Sequence, residues 1–439
     1  MRGADRAVIA ERVAERAGRM GSGVIASGAP DGSGSPARPV VATGHQASLW
    51  HPGILVKDLA AAEAARRLGG VALHVLADQD VHEAWRIDLP VVEGDRLRVA
   101  SRGLAATQGG VPTGRQPAAG SFEVSGIAGL DAALSEAAGR SFETLAEQAG
   151  FVAERYRSGV MGAATPVAAA TDLAHTARFG ELVDRMTDDP LACVSAYNAA
   201  AVAVPEAGMG ELKVTDRRVE LPLWRSPWQG GRLRVFAEKQ EGGGYALRAG
   251  GKPVDRGDLL PRALLMTGLW RDGLCDLFVH GVGGGVYRRV TDLWWERWLG
   301  EGLAPVVVAT ADVRVDFAVP VAEPEEVRRA VWRRHWLPHN LDRALGLSGE
   351  AVQRKRSLLD RMGDDRDRRR RARAFRELSE INAGWVEQHR GEIEAADSEA
   401  ARAQAGLANR ASARRRDWAL AVYPDEALAR LWRAVQDSA

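Results

Sequence analysis

Val40-Val41-Ala42-Thr43-Gly44-His45-Gln46-Ala47-Ser48-Leu49-Trp50-His51-Pro52-Gly53-Ile54-Leu55-Val56-Lys57-Asp58 is the stretch that decides the fold. A short extended run around Val40-Val41 breaks at Thr43-Gly44, and a polar turn carrying His45, Gln46 and His51 follows. An apolar-periodic helix then runs from Gly53 to about Leu68. Strand, Gly-containing turn and helix make the first half of a nucleotide-binding α/β unit. The first N–H groups of a helix lack intrahelical acceptors and its dipole is positive there, so this helix start is expected to receive an anion.

Outward from that unit, Gly69-Gly70 leads into a second strand, Val71–Leu76, ending on Ala77-Asp78-Gln79-Asp80 and Val81-His82-Glu83. About thirty residues is the span of one parallel βαβ crossover, and it puts the acidic residues beside the first turn. Further on, the apolar run Cys275–His280 ends in Gly281-Val282-Gly283-Gly284-Gly285, and another strand is expected at Ala304–Ala309. The expected fold is α/β, a Rossmann-like parallel-sheet core over residues 39–320 with inserted short elements at about 91–250. An N-terminal surface helix and a Gly/Ser/Pro linker occupy 1–38, and a helical, coiled-coil-like C-terminal arm occupies 321–439. Within the insertion, helices are expected at 128–158 and 173–187 and short strands at 211–250; Leu259–Trp270 reads as a helix.

Composition excludes several classes. With 46% hydrophobic and 27% charged residues the chain reads as globular, and a net charge of +1 creates no field that would gather nucleic acid or anionic lipid. Two cysteines make no disulfide framework, no Cys/His spacing suits zinc, and no apolar run is long enough for a membrane span. These features suit a reducing cytoplasm, with a small molecule rather than nucleic acid or membrane as partner. The bases are almost all arginine; only Lys57, Lys213, Lys239, Lys252 and Lys355 are lysines, which singles out the one inside the first turn-helix unit. The arginine-rich run 366–373 would wrap right round a helix, as a solvated or ion-paired surface does.

Several residues have chemistry to offer. His51-Pro52-Gly53-Ile54 is partly similar to the His-x-Gly-His turn of nucleotidylyltransferases, with Ile54 in place of the second histidine and His45 on the same turn. Lys57 lies one helical turn in and can reach back toward an anion, or sit solvated. Asp78 and Asp80 can hold an amine or serve as a general base, or cap the next helix. Glycines at 283, 284 and 285 permit close backbone approach to a phosphate, and equally permit a tight turn; Arg262 and Arg271 lie upstream. Trp294 and Trp295 read as interior, and Trp332 and Trp336 as core or interface.

In order and context these segments resemble the cysteine-adding enzyme family of bacillithiol biosynthesis (BshC). Its Thr-Gly-Gln-Gln turn, later Gly-Gly-Pro-Leu stretch and helix lysine correspond to Thr43-Gly44-His45-Gln46, His51-Pro52-Gly53-Ile54 and Lys57. Its Glu-Asp-His-Asp with a following Glu corresponds to Ala77-Asp78-Gln79-Asp80 and Glu83. Pro261–Leu265 with Arg271-Asp272, and Val279–Gly285, look like its remaining motifs, with Met266 where the family has arginine. The resemblance implies a ligase that adds an amino acid, cysteine in the family, to an amine on a sugar-like acceptor. Together with the residues read above, it points to Asp78, Asp80 and His45 as catalytic groups, and to Thr43, Gly44, Gln46, His51, Lys57, Glu83, Arg262, Arg271, Gly283, Gly284 and Gly285 as binding groups, with His45 and His51 this chain's own. It also implies a homodimer joined through the C-terminal helices. The activating cofactor stays open, with ATP or another nucleotide as the expectation. The alternatives are nucleotidyl transfer through His45 and His51, and a non-catalytic dimeric scaffold that keeps the fold.

Overall fold

The computed structural model describes residues 2–20 and 38–438, which form two compact units. The first draws on 1–89, 101–313 and 416–439, and the second on 90–100 and 314–415. The expected linker at 21–35 lies outside the described residues.

The first unit opens with helix α1 (Arg2–Met20), strand β1 (Val40–His45), helix α2 (Pro52–Arg67) and strand β2 (Val71–Leu76). A hairpin of β3 (Arg86–Glu93) and β4 (Arg96–Gly103) follows, then α3 (Ala128–Ala138), α4 (Leu145–Met161) and β5 (Val167–Ala169). Next come α5 (Ala177–Asp188), α6 (Pro190–Ala203), and strands β6 (Arg218–Arg225), β7 (Leu233–Lys239), β8 (Tyr245–Ala249), β9 (Lys252–Pro253) and β10 (Leu259–Pro261). Helix α7 (Ala263–Leu269), β11 (Leu277–His280), α8 (Val282–Leu299) and β12 (Val306–Val308) complete this run. Leu259–Trp270, expected as one helix, is therefore a strand and then a helix: Pro261 cannot donate a helical N–H and biases the residue before it toward extended backbone.

The core sheet is parallel, with strand order β12-β11-β1-β2-β5. Numbered along the chain, that is the doubly wound order 3-2-1-4-5, and the chain has a Rossmann-like α/β core. Strand order reverses between β1 and β11, where Val41, Ala42 and Thr43 pair with Leu277, Phe278 and Val279. Val41, Ala42 and Thr43 are wholly enclosed, as a central parallel strand covered on both faces requires. Helix α2 starts cleanly because Pro52 at its first turn has the fixed φ a helix needs and no N–H to leave unpaired.

A network of buried charges fixes α2 in place. Asp58 of α2 meets His74 Nδ1 of β2 at 2.7 Å and accepts from Arg157 Nη1 of α4 at 3.1 Å, all three side chains fully enclosed. Burial alone would raise the Asp58 carboxyl, but His74 and Arg157 outweigh it and hold it at about 2. Trp50 closes the group, its ring 4.5 Å from His74 and 5.4 Å from the Arg157 guanidinium.

The inserted strands form a separate antiparallel sheet, β10-β6-β7-β8-β9. Its buried residues, including Val219, Leu221, Leu223, Val235 and Ala237, join one core with α6, α7 and the interior tryptophans Trp270, Trp294 and Trp295. Helix α1 is not merely a surface element. Ile9 and Val13 enter this core, and Arg12 and Arg16 bind buried Asp172 at 2.8 and 3.0 Å.

The second unit contains α9 (Pro324–Trp336), α10 (Leu341–Ala344), α11 (Glu350–Asp364), α12 (Arg368–Gln388) and α13 (Arg390–Ala413), with the tip of the β3–β4 hairpin. Helices α12 and α13 are separated at His389, whose backbone leaves the helical region. Leu337, Leu341, Val352, Trp385 and Ala396 form its core, and Lys355 lies buried against Asp342 at 2.6 Å. Arginines 366–373 are all exposed, and Trp332, 61% exposed, stacks on Trp336 at 5.3 Å. The last helix, α14 (Asp425–Ser438), belongs to the first unit and packs on α2. The helical unit thus takes in residues 314–415, and residues 416–438 return to the first unit, where Leu420, Ala427 and Leu428 bury apolar surface.

Candidate functional site

At the reversal point, a cavity of about 670 Å3 opens at the carboxyl ends of β1, β2 and β11, entirely within the first unit. This is where a doubly wound sheet leaves a crevice, because the helices following the two central strands depart to opposite faces. Its walls include Gly44, His45 and Gln46 after β1, His51 and Lys57 of α2, Asp80 beyond β2, and His280 to Gly284 after β11. The inserted sheet contributes Trp224 and Arg232, Arg262 follows it, and Arg416 comes from the returning chain.

The helix start expected to receive the anion is already satisfied. Pro52 has no N–H, Gly53 N donates to its own cap at His51 Nδ1 (3.1 Å), and Ile54 N donates to the His51 carbonyl (2.8 Å). The open start is that of α8. Gly281 caps it without a side-chain bond, and the N–H groups of Val282, Gly283 and Gly284 have no acceptor among the described residues. The glycines read as a loop are thus the first turn of a helix, and residues 281–284 all line the cavity.

Beside that turn stands His280, 7% exposed, its Nε2 enclosed without a hydrogen-bond partner among the described residues. A Cβ added to Gly284 would lie 2.3 Å from His280 Nδ1, so glycine at 284 is what makes room for the imidazole. Burial first, and then the charge of Lys57, push the His280 pKa down to about 3, so the ring is neutral. His45 is alike: burial and then Lys57 hold it at about 3, and its Nδ1 is enclosed and unpartnered. Both histidines can accept a proton or a hydrogen bond, and neither is a cation.

Lys57 is 4% exposed and donates to the Gly44 carbonyl at 2.7 Å. Burial lowers its pKa to about 8, against a smaller opposing pull from Asp58. A Cβ on Gly44 would meet the Val75 carbonyl at 2.6 Å, so glycine there keeps β1 and β2 paired.

The expected residues divide sharply by location. Gly44, His45, Gln46, His51, Lys57, Asp80, Arg262, Gly283 and Gly284 come together around the cavity. Asp80, however, is engaged: Gln46 Nε2 and Val81 N donate to it, and Arg232 Nη1 lies 2.7 Å away. Burial would raise its carboxyl, but those partners outweigh burial and the net shift is downward, which weakens it as a base.

The other expected residues stand off the cavity. Thr43 is buried and donates to the Val279 carbonyl at 2.8 Å, tying β1 to β11. Asp78 accepts from Thr171 N (2.9 Å) and Thr171 Oγ1 (2.5 Å), which fastens the end of β2 to the segment after β5. Glu83 is exposed and pairs with Arg86 at 2.8 Å. Arg271 is buried and bonds the Ala304 carbonyl and Asp292, at 2.8 and 2.7 Å. Gly285 faces Val308, which a Cβ would approach to 2.6 Å.

Sequence reading missed His280, Trp224, Arg232 and Arg416. His280 carried a usable signal, as a polar residue ending an apolar strand just before a glycine turn. The other three belong to segments whose spatial return to the sheet has no local signature. Among the described residues, no group of three or more His, Cys, Asp or Glu could hold a metal, and no helix is long and apolar enough to cross a membrane. No protein-family model matches the chain, and no curated protein matches it.

Two outcomes are expected from this geometry. Gly284→Ala costs about 1–3 kcal/mol by crowding His280. Adding His280→Ala recovers part of that loss, so a double-mutant cycle by chemical denaturation gives a non-zero coupling; strict additivity would mean the two do not compete for space. Burial raises the Asp78 carboxyl to about 6 against the Thr171 hydrogen bonds, so the folded protein binds the proton more tightly than the unfolded chain. That stabilisation is full below pH 4 and is lost as pH rises through 6, a swing of about 3 kcal/mol. Asp78→Asn removes the swing, so its stability relative to the parent protein climbs across that window; a constant difference would show that Asp78 ionises normally.

Proposed function

We propose that the chain is an amide-forming ligase of the kind represented by the cysteine-adding family, joining an amino-acid carboxyl to an amine of a sugar-like acceptor in the β1–β11 cavity. The observation that carries this reading is the uncapped start of α8, with three unpaired N–H groups facing a cavity that also holds Lys57 and two neutral histidines. Backbone donors at a helix start, with an ammonium nearby, suit a phosphate or a carboxylate.

A nucleotide fits this donor set, with its phosphates on the N–H groups of Val282, Gly283 and Gly284 and on Lys57; it would supply the leaving group that activates the carboxyl. The amine nitrogen attacks the activated carbonyl carbon, the leaving group departs with its electron pair, and the nitrogen sheds a proton. His45 takes that proton. Asp80, tied to Arg232 and Gln46, holds the turn. An anion bound nearby raises the pKa of His45, which brings it toward the working range of a base. Asp78 supports the site from behind by fixing the end of β2. A homodimer through the helical unit, and a cytoplasmic setting, belong to the same proposal.

The test is mass spectrometry of products formed from cysteine, ATP and glucosaminyl malate, with the cysteine adduct expected. Pyrophosphate release with a nucleotidylated acceptor and no adduct would overturn it in favour of nucleotidyl transfer, for which His45 and His51 both line the cavity. Anion binding has its own signature. The ammonium of Lys57 is lost above about pH 8, so sulfate affinity by calorimetry falls as pH rises past 8, by up to about tenfold per unit. In Lys57→Met that dependence disappears; an unchanged pH profile would remove Lys57 from the anion site.

A further inference from the structure

Besides the backbone donors at the start of α8, the same cavity holds a second set of cations with an unusual arrangement. Trp224, on β6, has the Arg232 guanidinium carbon 4.6 Å and the Arg262 guanidinium carbon 4.8 Å from its ring centroid. All three side chains line the cavity. Each arginine commits the same nitrogen to the protein. Arg232 Nη1 bonds Asp80 Oδ1 at 2.7 Å and the Gln79 carbonyl at 3.3 Å, while Arg262 Nη1 bonds Glu220 Oε1 at 2.7 Å. Among the described residues, no acceptor meets Nε or Nη2 of either side chain.

The Nε–Nη2 edge is the side of a guanidinium that grips a carboxylate with two parallel hydrogen bonds. An indole face and one carboxylate fix each fork, so little rotamer entropy remains to be lost on binding. Asp80 and Glu220 offset the two positive charges, so this is a pair of directional donors more than a field of charge. A planar two-oxygen group fits such an edge better than a tetrahedral one, whereas the diffuse N–H set at the start of α8 suits a phosphate.

We propose that Arg232 and Arg262, racked on Trp224, form a second anion subsite that recognises carboxylates of the substrate and fixes its orientation relative to the start of α8. The proposal deepens the ligase reading by naming specificity-determining residues, and it rests on that reading only for which substrate presents the carboxylates. Two free edges on one support take a molecule with two carboxylates more tightly than one with a single carboxylate.

The test titrates the full-length protein with succinate, acetate and sulfate by calorimetry. Succinate is expected to bind at least tenfold more tightly than acetate, and saturating sulfate leaves its affinity within a few-fold. Arg232→Lys and Arg262→Lys keep the charge and remove the fork; each should weaken succinate by tenfold or more while sulfate affinity and the melting temperature stay near those of the parent protein. The proposal is overturned if both lysine variants bind succinate like the parent, if sulfate displaces succinate one for one, or if succinate does not bind. Succinate binding as described without any amide product would sink the ligase reading and leave the subsite standing.

Discussion

The enclosed contact of Asp58 with His74 and Arg157 is the constraint on which the site depends. Removing a carboxylate and a guanidinium from water costs several kcal/mol per ion, which only close, well-directed partners offset. Those partners come from β2 and α4, so α2 has one rotation and one depth at which Asp58 is satisfied. The preceding residue, Lys57, is thereby turned to the Gly44 carbonyl, and His51 sits where it caps the helix. Trp50 packs on the same group, and its carbonyl accepts the Leu420 N–H at 2.6 Å, so the turn after β1 is held from both ends of the chain.

From that fixed turn the chemical character of the cavity follows. Ordinarily a histidine in a site full of anion-binding groups would titrate near neutrality and carry charge of its own. Here burial, and then the charge of Lys57, keep His45 and His280 uncharged, so positive charge is confined to Lys57 and the arginines. The arrangement separates roles: backbone donors and the ammonium for an anion, imidazoles for a proton, forks for planar groups.

Much of the frame was legible in the sequence because it is written in local terms. The extended run at Val40-Val41, the glycine at 44, the proline at 52 and the apolar strand before Gly281 each have a direct physical reading, and together they locate both sides of the crevice. The failures have equally definite causes. Asp78 and Asp80 are two residues apart, yet only Asp80 reaches the cavity, because the backbone bend after Leu76 sends Asp78 to Thr171. The helix start at Pro52 looked open because sequence does not reveal that the His51 imidazole folds back onto Gly53 N. Trp224 lies in a sheet inserted between β5 and β11 and Arg232 just before one of its strands, and no pattern near them points to the crevice they line.

The return of residues 416–439 to the first unit bears on how the protein comes into being. During synthesis, both central strands and both helix starts leave the ribosome long before Arg416 and Leu420 do. The intervening segment, 314–415, carries an apolar cluster of its own, and until it has been made the cavity lacks Arg416 and the Trp50 carbonyl lacks its partner. Completion of the site is thus deferred until residues 416–420 are made, and a nascent polypeptide has a nearly finished sheet before it has a finished pocket.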